Sequence, residues 1–229
     1  MDATYRRPAA GSQPPLDSPA YGSTAKRHPL HTPVRMEHTV TETSGPAFTP
    51  GRFPALADLA GSALGERIVV AGQVCDEDGR PVPHAMIEIW QANAAGRYDH
   101  PQDTHDAPLD PNFRGIGRVF TDADGRYRYQ TIKPGAYPWR NHHNAWRPNH
   151  IHLSLFGPAF ATRLITQMYF PGDPLLALDP IFNTVPDNAA RDRLVARFDL
   201  DLTEPERALG YRFDVVLRGR GQTPFEPPA

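Results

Sequence analysis

The sequence contains a single cysteine, Cys75, in a chain of 229 residues. An internal disulfide and a cysteine-based metal cluster are therefore both excluded. Cys75 ends the segment Gly72-Gln73-Val74-Cys75 and is expected to be a small, buried thiol. This cysteine usage fits a reducing, cytoplasmic setting.

Long apolar runs and an excess of positive charge are missing too. No segment approaches the roughly 20 apolar residues that a membrane-spanning helix needs, and the first 11 residues lack the apolar core of a secretory signal. The formal net charge of -2 gives no basic field that would attract nucleic acid. We therefore expect a protein that binds neither a membrane nor nucleic acid.

Proline is abundant, with 26 residues, which is too many for a helical bundle and suits strands joined by turns. Residues 1–50 combine proline with little apolar periodicity and are predicted to form an extended N-terminal arm. The arm is either a free tail or a segment that wraps a partner subunit, with Tyr5, Tyr21 and Leu30 as anchors. Residues 51–229 are predicted to be the catalytic domain.

This second region contains many short β-branched runs separated by turn residues. In its last part Tyr211, Phe213, Val215 and Leu217 alternate with polar residues, which is typical of a strand with one buried face. Such a pattern predicts an all-β fold, an antiparallel β-sandwich or barrel, with long loops and few short helices. Of these two architectures the sandwich is our prediction. The earlier strands are expected at residues 67–75, 84–91, 117–121, 126–132, 149–156 and 164–170.

Helix signals are few. A short helix is predicted around residues 54–64 and another at residues 188–197, where Arg191 and Val195 would stack one turn apart. The two D-x-D-G segments, at residues 76–79 and 122–125, place glycine fourth, whereas an EF-hand loop needs it sixth. We therefore expect plain turns at both places.

The first chemical signal is His150-Ile151-His152. Residues two apart in a strand lie on one face, about 6.6 Å apart along the chain, so both imidazoles can reach one metal ion. The alternative is a pair of ordinary histidines on a polar face. No histidine follows His152, so a third histidine ligand on a following strand is excluded. No carboxylate follows it before Asp173, which disfavours a local two-histidine-one-carboxylate site. The upstream histidines, His100, His105, His142 and His143, lie in predicted loops.

Tyrosines are the remaining oxygen donors. Tyr98 and Tyr137 both lie in loops that follow predicted strands. Phenolate oxygen suits Fe(III), a hard cation whose charge would lower a phenol pKa from about 10. Spacing alone leaves open whether these tyrosines bind a metal or pack.

Several stretches resemble the intradiol ring-cleavage dioxygenases. EIWQANAAGRY (residues 88–98) resembles the strand and loop with the first tyrosine ligand of that family, and IKPGAYPWR (residues 132–140) resembles the segment with the second. WRPNHIH (residues 146–152) resembles the segment with both histidines. The resemblance covers about residues 50–226 and shows no departure at any ligand position.

The resemblance implies a non-haem Fe(III) cofactor with four protein ligands, of which Tyr137 is the axial one that the substrate displaces. It implies that Arg147 stabilises negative charge beside the substrate ring and that Gln167 hydrogen-bonds to Arg147 near the iron. The four implied ligands are Tyr98, Tyr137, His150 and His152.

Three further aromatic or apolar positions follow from the resemblance. Trp139 and Ile181 are the expected walls of the substrate pocket. Trp90 is either a pocket residue or a core residue.

Within the family, the resemblance is greatest to β subunits of enzymes that use O2 to cleave protocatechuate (3,4-dihydroxybenzoate) to 3-carboxy-cis,cis-muconate, in aromatic-compound degradation by the β-ketoadipate pathway. It implies a hetero-oligomer with an α subunit of related fold. The alternatives are a catechol or hydroxyquinol 1,2-dioxygenase, a zinc hydrolase and a non-enzymatic β-sandwich binding module. The catechol and hydroxyquinol enzymes carry a helical N-terminal region, and the first 50 residues here show no long amphipathic pattern.

Overall fold

The computed structural model describes residues 7–26, 28–32, 54–141, 143, 146–157 and 163–226. Within these ranges, no helix is long and apolar enough to cross a membrane. The helical segments are 3-10 turns at Gly22–Lys26 and Pro174–Ala177, α1 (Pro180–Asn183) and α2 (Asn188–Asp192). The strands are β1 (Arg67–Cys75), β2 (Met86–Trp90), β3 (Ile116–Phe120), β4 (Arg126–Ile132), β5 (Tyr137–Pro138), β6 (Trp146–Arg147), β7 (His150–Phe156), β8 (Arg163–Tyr169), β9 (Arg197–Phe198), β10 (Leu209–Arg212) and β11 (Val215–Val216).

Two sheets enclose one apolar core. The first has the order β3-β2-β7-β8, with every pair antiparallel. The second is built around β1, which pairs with β4, β10 and β11. Ile87 and Ile151 from the first sheet and Ile68 and Tyr129 from the second belong to one buried cluster. The prediction of an all-β sandwich is therefore confirmed, and the six earlier strands lie within two residues of their predicted bounds.

The last strand segment adds a feature that the sequence pattern did not predict. Both β10 and β11 run parallel to β1, so the second sheet is mixed and not purely antiparallel. The predicted facing is nevertheless right, because Tyr211, Phe213, Val215 and Leu217 are all buried. Alternation predicts which face of a strand is buried, but it carries no information about the direction of its neighbour.

The helix predicted at residues 54–64 is wrong. Its backbone pairs with the sheets, because Leu56 N donates to Arg118 O at 3.1 Å and Leu59 N donates to Gln130 O at 2.8 Å. Asp58 Oδ1 also accepts from two following amides and closes a turn. Tertiary pairing has overridden a local helix signal here.

The second predicted helix is shorter than expected. It ends at Asp192, not at residue 197, because the following chain pairs with the end of β8. Tyr169 N donates to Leu194 O and Ala196 N donates to Tyr169 O, both at 2.8 Å. This leaves no backbone groups for further helical turns.

Both D-x-D-G segments form plain turns, as predicted. Asp76 Oδ1 accepts hydrogen bonds from Asp78 N at 2.9 Å and from Arg80 N at 3.0 Å. Asp122 makes the same pair of bonds in the second segment. In each case the first carboxylate closes the turn by binding backbone amides.

The described part of the N-terminal arm packs against the strand-bearing region. Asp187 N donates to Gly11 O at 3.0 Å. Tyr21 is only 3% exposed, and its ring meets Trp139 edge-on at 5.1 Å. Residues 7–26 are therefore packed chain with a 3-10 turn at their end, and the free-tail alternative is wrong for that range. Wrapping of a partner subunit stays a prediction, as does the domain boundary near residue 50; Tyr5 and residues 33–53 lie outside the described residues.

The loops after β2 and β4 lock together through two glycines. Gly96 has φ +80°, and a Cβ there would lie 2.2 Å from Ala136 O. A Cβ on Gly135 would likewise meet the backbone of the first loop, at 2.4 Å. The two backbones approach because neither position has a side chain, and this approach places Tyr98 near Tyr137.

We predict that Gly96→Ala destabilises the protein more than Gly79→Ala. Gly79 has a similar φ, +77°, but open space around it. Gly79→Ala should cost about 1 kcal/mol from backbone strain alone, and the clash in Gly96→Ala should add about 1–3 kcal/mol. Urea unfolding of both variants measures the difference. Equal losses would contradict the interlocking of the two loops.

Candidate metal centre

The outer face of the four-stranded sheet carries the two predicted histidine ligands. His150 and His152 project there from β7, while Ile151 and Leu153 point into the core and are fully buried. The two imidazole centroids lie 4.8 Å apart. The strand geometry therefore brings both rings to one place, as the His-x-His spacing predicts.

Neighbouring strands flank His152 on both sides. Trp90 on β2 and Gln167 on β8 are its cross-strand partners. The Trp90 ring stacks on the His152 ring at 4.8 Å with an angle of 8° between the planes. Trp90 thus packs against His152. This role is intermediate between the pocket residue and the core residue that the sequence left open.

Asn93 shapes the loop that presents Tyr98. Its side-chain Oδ1 accepts hydrogen bonds from Ala95 N and Arg97 N, both at 2.9 Å. Its backbone carbonyl accepts from Gly135 N at 2.9 Å and so ties this loop to the loop of Tyr137.

The four predicted ligands form one aromatic cluster. The Tyr98 and Tyr137 rings lie 5.4 Å apart, and Tyr137 lies 5.4 Å from His150. Tyr98 lies 6.4 Å from His152. The Tyr137 hydroxyl is 3.3 Å from His150 Nε2. Residues from two loops and one strand, up to 54 positions apart in sequence, therefore meet around a common point.

Both histidines use Nδ1 for a contact away from the cluster. His150 Nδ1 is 2.7 Å from Pro148 O, and His152 Nδ1 is 2.9 Å from the Glu226 carboxylate. An Nδ1–H that donates to these oxygens leaves the Nε2 lone pair available to a metal. Burial, followed by the nearby charge of Arg147, lowers the pKa of His150 well below its ordinary value. His150 is therefore neutral, which is the form that binds metals.

The tyrosine hydroxyls fit a cation. Tyr98 Oη is buried and makes no well-aligned hydrogen bond among the described residues, although the Tyr137 hydroxyl interacts with it and adds to the effect of burial in raising its pKa. A cation would satisfy this oxygen more fully. Burial raises the pKa of Tyr98 well above its ordinary value, and it raises the pKa of Tyr137 as well. A bound cation is the agent that would stabilise both phenolates.

The donor set also limits which metal fits. Within the described ranges, no three residues among His, Cys, Asp and Glu are grouped so as to hold a metal ion. Two imidazole nitrogens and two phenol oxygens are the donors that this cluster offers. Anionic oxygen with imidazole suits iron, and two phenolates match the high charge of Fe(III) better than that of Zn²⁺.

Arg147 lies beside this cluster, fully buried in a polar network. Its Nε donates to Asp179 Oδ1 at 2.9 Å and its Nη2 donates to Asp179 Oδ2 at 3.2 Å. Nη2 also donates to Gln167 Oε1 and to Tyr169 Oη. Burial opposes the charge, but Asp179 and the nearby tyrosines raise the pKa of Arg147 well above its ordinary value. The guanidinium therefore stays charged.

Asp179 links this network to α1. Besides holding Arg147, its carboxylate caps α1 by accepting from Ile181 N and Phe182 N. Ile181 is buried and lines a space of about 10 Å³ next to Gln167 and Tyr169. One carboxylate thus fixes both the predicted catalytic arginine and a predicted pocket wall.

Trp139 packs against the guanidinium group of Arg147. The guanidinium carbon of Arg147 lies 5.2 Å from the centre of the Trp139 ring, a cation-π distance. Tyr21 of the N-terminal segment packs edge-on against the same ring. The structure thus places Trp139 within the cluster, and every predicted site residue lies in this one neighbourhood.

A larger groove of about 450 Å³ lies elsewhere, on the second sheet around Tyr127 and Arg212. Its cations are already paired with carboxylates, including Arg212 with Asp199 at 2.7 Å. It offers no converging donors comparable to those on the first sheet.

Sequence reasoning missed several residues of the site. Glu226, Asp179 and Tyr169 contact predicted site residues, and their local sequence does not predict these contacts. Asp179 carries one partial signal, since an Asp-Pro pair is typical of a helix start. Glu226 lies 74 positions from His152 and has no such signal.

Comparison with known proteins agrees with this geometry. A family model described as "Dioxygenase" matches residues 44–219. A second model, "Protocatechuate 3,4-dioxygenase beta subunit N terminal", matches residues 5–39. The protocatechuate 3,4-dioxygenase beta chain of Burkholderia cepacia is 58% identical over 222 residues, 94% of each chain. The alpha chain from the same organism is 33% identical over 83% of this chain and 97% of that one.

Solved structures share the fold. 3-Chlorocatechol 1,2-dioxygenase from Rhodococcus opacus 1CP matches with a TM-score of 0.58 at 25% identity, over 76% of this chain and 70% of that one. Hydroxyquinol 1,2-dioxygenase from Pseudomonas putida DLL-E4 matches with a TM-score of 0.57 at 25% identity, over 87% of this chain and 72% of that one. With the two family models and the 58% identical relative, these matches show that the chain belongs to the intradiol ring-cleavage dioxygenase family.

Proposed function

We propose that this chain is the iron-carrying β subunit of a protocatechuate 3,4-dioxygenase, which cleaves 3,4-dihydroxybenzoate with O2 to 3-carboxy-cis,cis-muconate. The observation that carries the proposal is the convergence of two tyrosines and two histidines, with both histidine Nε2 atoms left available by their Nδ1 contacts. The 58% identity to a beta chain supports the substrate assignment.

The proposed ligands of a non-haem Fe(III) are Tyr98, Tyr137, His150 and His152. Two phenolates and one hydroxide would balance three positive charges. The chemistry that ferric iron supplies when bound is Lewis acidity, which draws electron density from a catecholate and makes its ring reactive towards O2 between the hydroxyl-bearing carbons.

Tyr137 is the proposed proton acceptor. A catechol must lose two protons to bind through both oxygens. The hydroxide would take up one of them and the Tyr137 phenolate the other, because the ordinary pKa of a tyrosine is about 10. The family resemblance assigns this role to Tyr137 and not to Tyr98, and the Tyr137 hydroxyl lies 3.3 Å from His150 Nε2.

Arg147 is the proposed charge-stabilising group. Its Nε and Nη2 are committed to Asp179, Gln167 and Tyr169. Among the described residues, Nη1 has no such partner. A charge held in a buried, preorganised network stabilises a developing anion without reorganisation. Trp139 and Ile181 are the proposed pocket walls near this group.

The proposed assembly is a hetero-oligomer of this chain with an alpha chain. Beta and alpha chains of Burkholderia cepacia both match here, at 58% and 33% identity, so the two kinds of chain have related folds. The alpha chain would complete the pocket around the substrate carboxylate.

The deciding experiment is oxygen uptake by the iron-replete protein, purified with its alpha chain, on protocatechuate and on catechol. Ferric iron bound by the two tyrosines would colour this protein burgundy. We expect faster uptake on protocatechuate. Preference for catechol would instead favour a catechol 1,2-dioxygenase, and an iron-replete but colourless protein that consumes no O2 would favour a non-enzymatic module.

We predict that Tyr98→Phe and Tyr137→Phe separate the two tyrosine ligands. Tyr98→Phe should lower the iron content after purification, whereas Tyr137→Phe should keep most iron but slow catechol binding, because the leaving phenolate is missing. Tyr129→Phe is the matched control, since the buried Tyr129 hydroxyl has no hydrogen-bond partner among the described residues. Iron analysis and stopped-flow absorbance measure both effects. Identical behaviour of all three variants would remove the ligand assignment.

We predict that Asp179→Asn lowers kcat/KM while iron stays bound. Loss of the charge that holds Arg147 should lower kcat/KM about 10–100-fold, the size of effect expected when a charged hydrogen bond is lost. Asp124→Asn breaks an exposed ion pair and serves as the control. Steady-state kinetics with iron analysis and thermal unfolding make the test. An unchanged kcat/KM in a folded Asp179→Asn protein would show that Asp179 does not position Arg147.

A further inference from the structure

The last described residues of the chain return to the candidate metal centre. Residues 224–226 run beside β8, where Thr166 Oγ1 donates to Pro224 O and Glu226 N donates to Ile165 O, both at 2.7 Å. These two contacts fix the backbone on either side of Phe225. The Glu226 side chain is thereby directed towards the outer face of the four-stranded sheet.

Glu226 meets His152 there. One carboxylate oxygen lies 2.9 Å from His152 Nδ1, and the two side chains are 11% and 10% exposed. One face of the imidazole is covered by the stacked Trp90 ring. The hydrogen bond at the ring edge and the stacking contact on the ring face together restrict the orientation of His152.

We propose that Glu226 is the positioning residue for His152, and that it fixes the tautomer and the ring orientation with which His152 Nε2 faces the metal. This inference rests on the proposed function of the same site. A carboxylate that accepts the Nδ1–H of a metal-binding histidine also makes Nε2 a stronger donor.

The two histidines differ in this respect. His150 Nδ1 contacts a backbone carbonyl, Pro148 O, which is neutral and cannot be removed by a side-chain substitution. His152 Nδ1 contacts an anionic side chain from the far end of the chain. Of the two histidines, substitution of Glu226 therefore changes the support of His152 alone. Beyond the effect of burial, the negative charge of Glu226 also raises the pKa of Tyr98 and of Tyr137.

The N-terminal segment binds residues 222–226, the C-terminal tail that carries Glu226. Gln13 Oε1 accepts from Phe225 N at 2.8 Å, and Gln13 Nε2 donates to Gln222 O at 3.4 Å. Gln13 thus holds the backbone of the segment that carries Glu226. Gln13 acts on the metal ligand only through the tail, so its removal should weaken iron binding less than removal of the Glu226 carboxylate.

The test compares Glu226→Gln, Glu226→Ala and Gln13→Ala with the wild type, each purified with the alpha chain. Iron loss to a chelator, the position of the tyrosinate charge-transfer band and thermal unfolding are measured for each. Glu226→Gln keeps the size and one acceptor oxygen but removes the charge. Glu206→Gln, at an exposed glutamate between β9 and β10, is the matched control.

We expect iron to be lost about 10–100-fold more readily from Glu226→Ala than from the wild type. Glu226→Gln should fall between them, and its charge-transfer band should shift while its unfolding temperature stays near that of the wild type. Gln13→Ala should give a smaller effect, and Glu206→Gln none.

Iron retention and a band position in folded Glu226→Gln equal to those of the wild type would overturn the role of Glu226. That result leaves the proposed function standing, since the wild type would still bind ferric iron. A wild type that binds no ferric iron would overturn both. Should Glu226→Ala fail to fold, the folded Glu226→Gln protein alone decides.

Discussion

The alternation of side chains along β7 is the constraint on which the site depends. Residues two apart in a strand share a face, so the burial of Ile151 and Leu153 in the sandwich core turns His150 and His152 together towards the outer face. Slippage by one residue would exchange the two sets and bury both imidazoles in the apolar core. The packing energy of the core therefore holds the register of the two candidate ligands. Loops then cover this outer face, which is why the whole strand is buried although only one side belongs to the core.

The loops that cover this face are held together differently from the strand beneath them. Tyr98 and Tyr137 come from loops whose backbones touch at Gly96 and Gly135, and this contact replaces the rigidity that a sheet would supply. Two carboxylates from other parts of the chain complete the arrangement. Asp179 holds Arg147 and Glu226 holds His152, so each of these two buried groups has an anionic partner. Burial raises the pKa values of the tyrosines. A highly charged cation would offset this effect by stabilising their phenolate forms.

The sequence predicted the β-sandwich, six strand positions and the outward facing of both histidines, because these follow from local alternation and turn residues. It could not predict that β10 and β11 run parallel to β1, since strand direction is set by distant pairing. The helix expected at residues 54–64 failed for the same reason, as its amides bind the neighbouring strands. The tyrosines needed a family resemblance, because loop residues carry no periodic signal. The roles of Glu226 and Asp179 could not be predicted, because their contacts join residues 74 and 32 positions apart in sequence.

The central claim is that Tyr98, Tyr137, His150 and His152 bind one ferric ion. Anomalous diffraction at the iron absorption edge, from crystals of the chain purified with its alpha chain, tests it most directly. The account predicts one iron peak bonded to the hydroxyl oxygens of both tyrosines and to Nε2 of both histidines. An iron peak at another place, or one that lacks either tyrosine in the substrate-free protein, would contradict it.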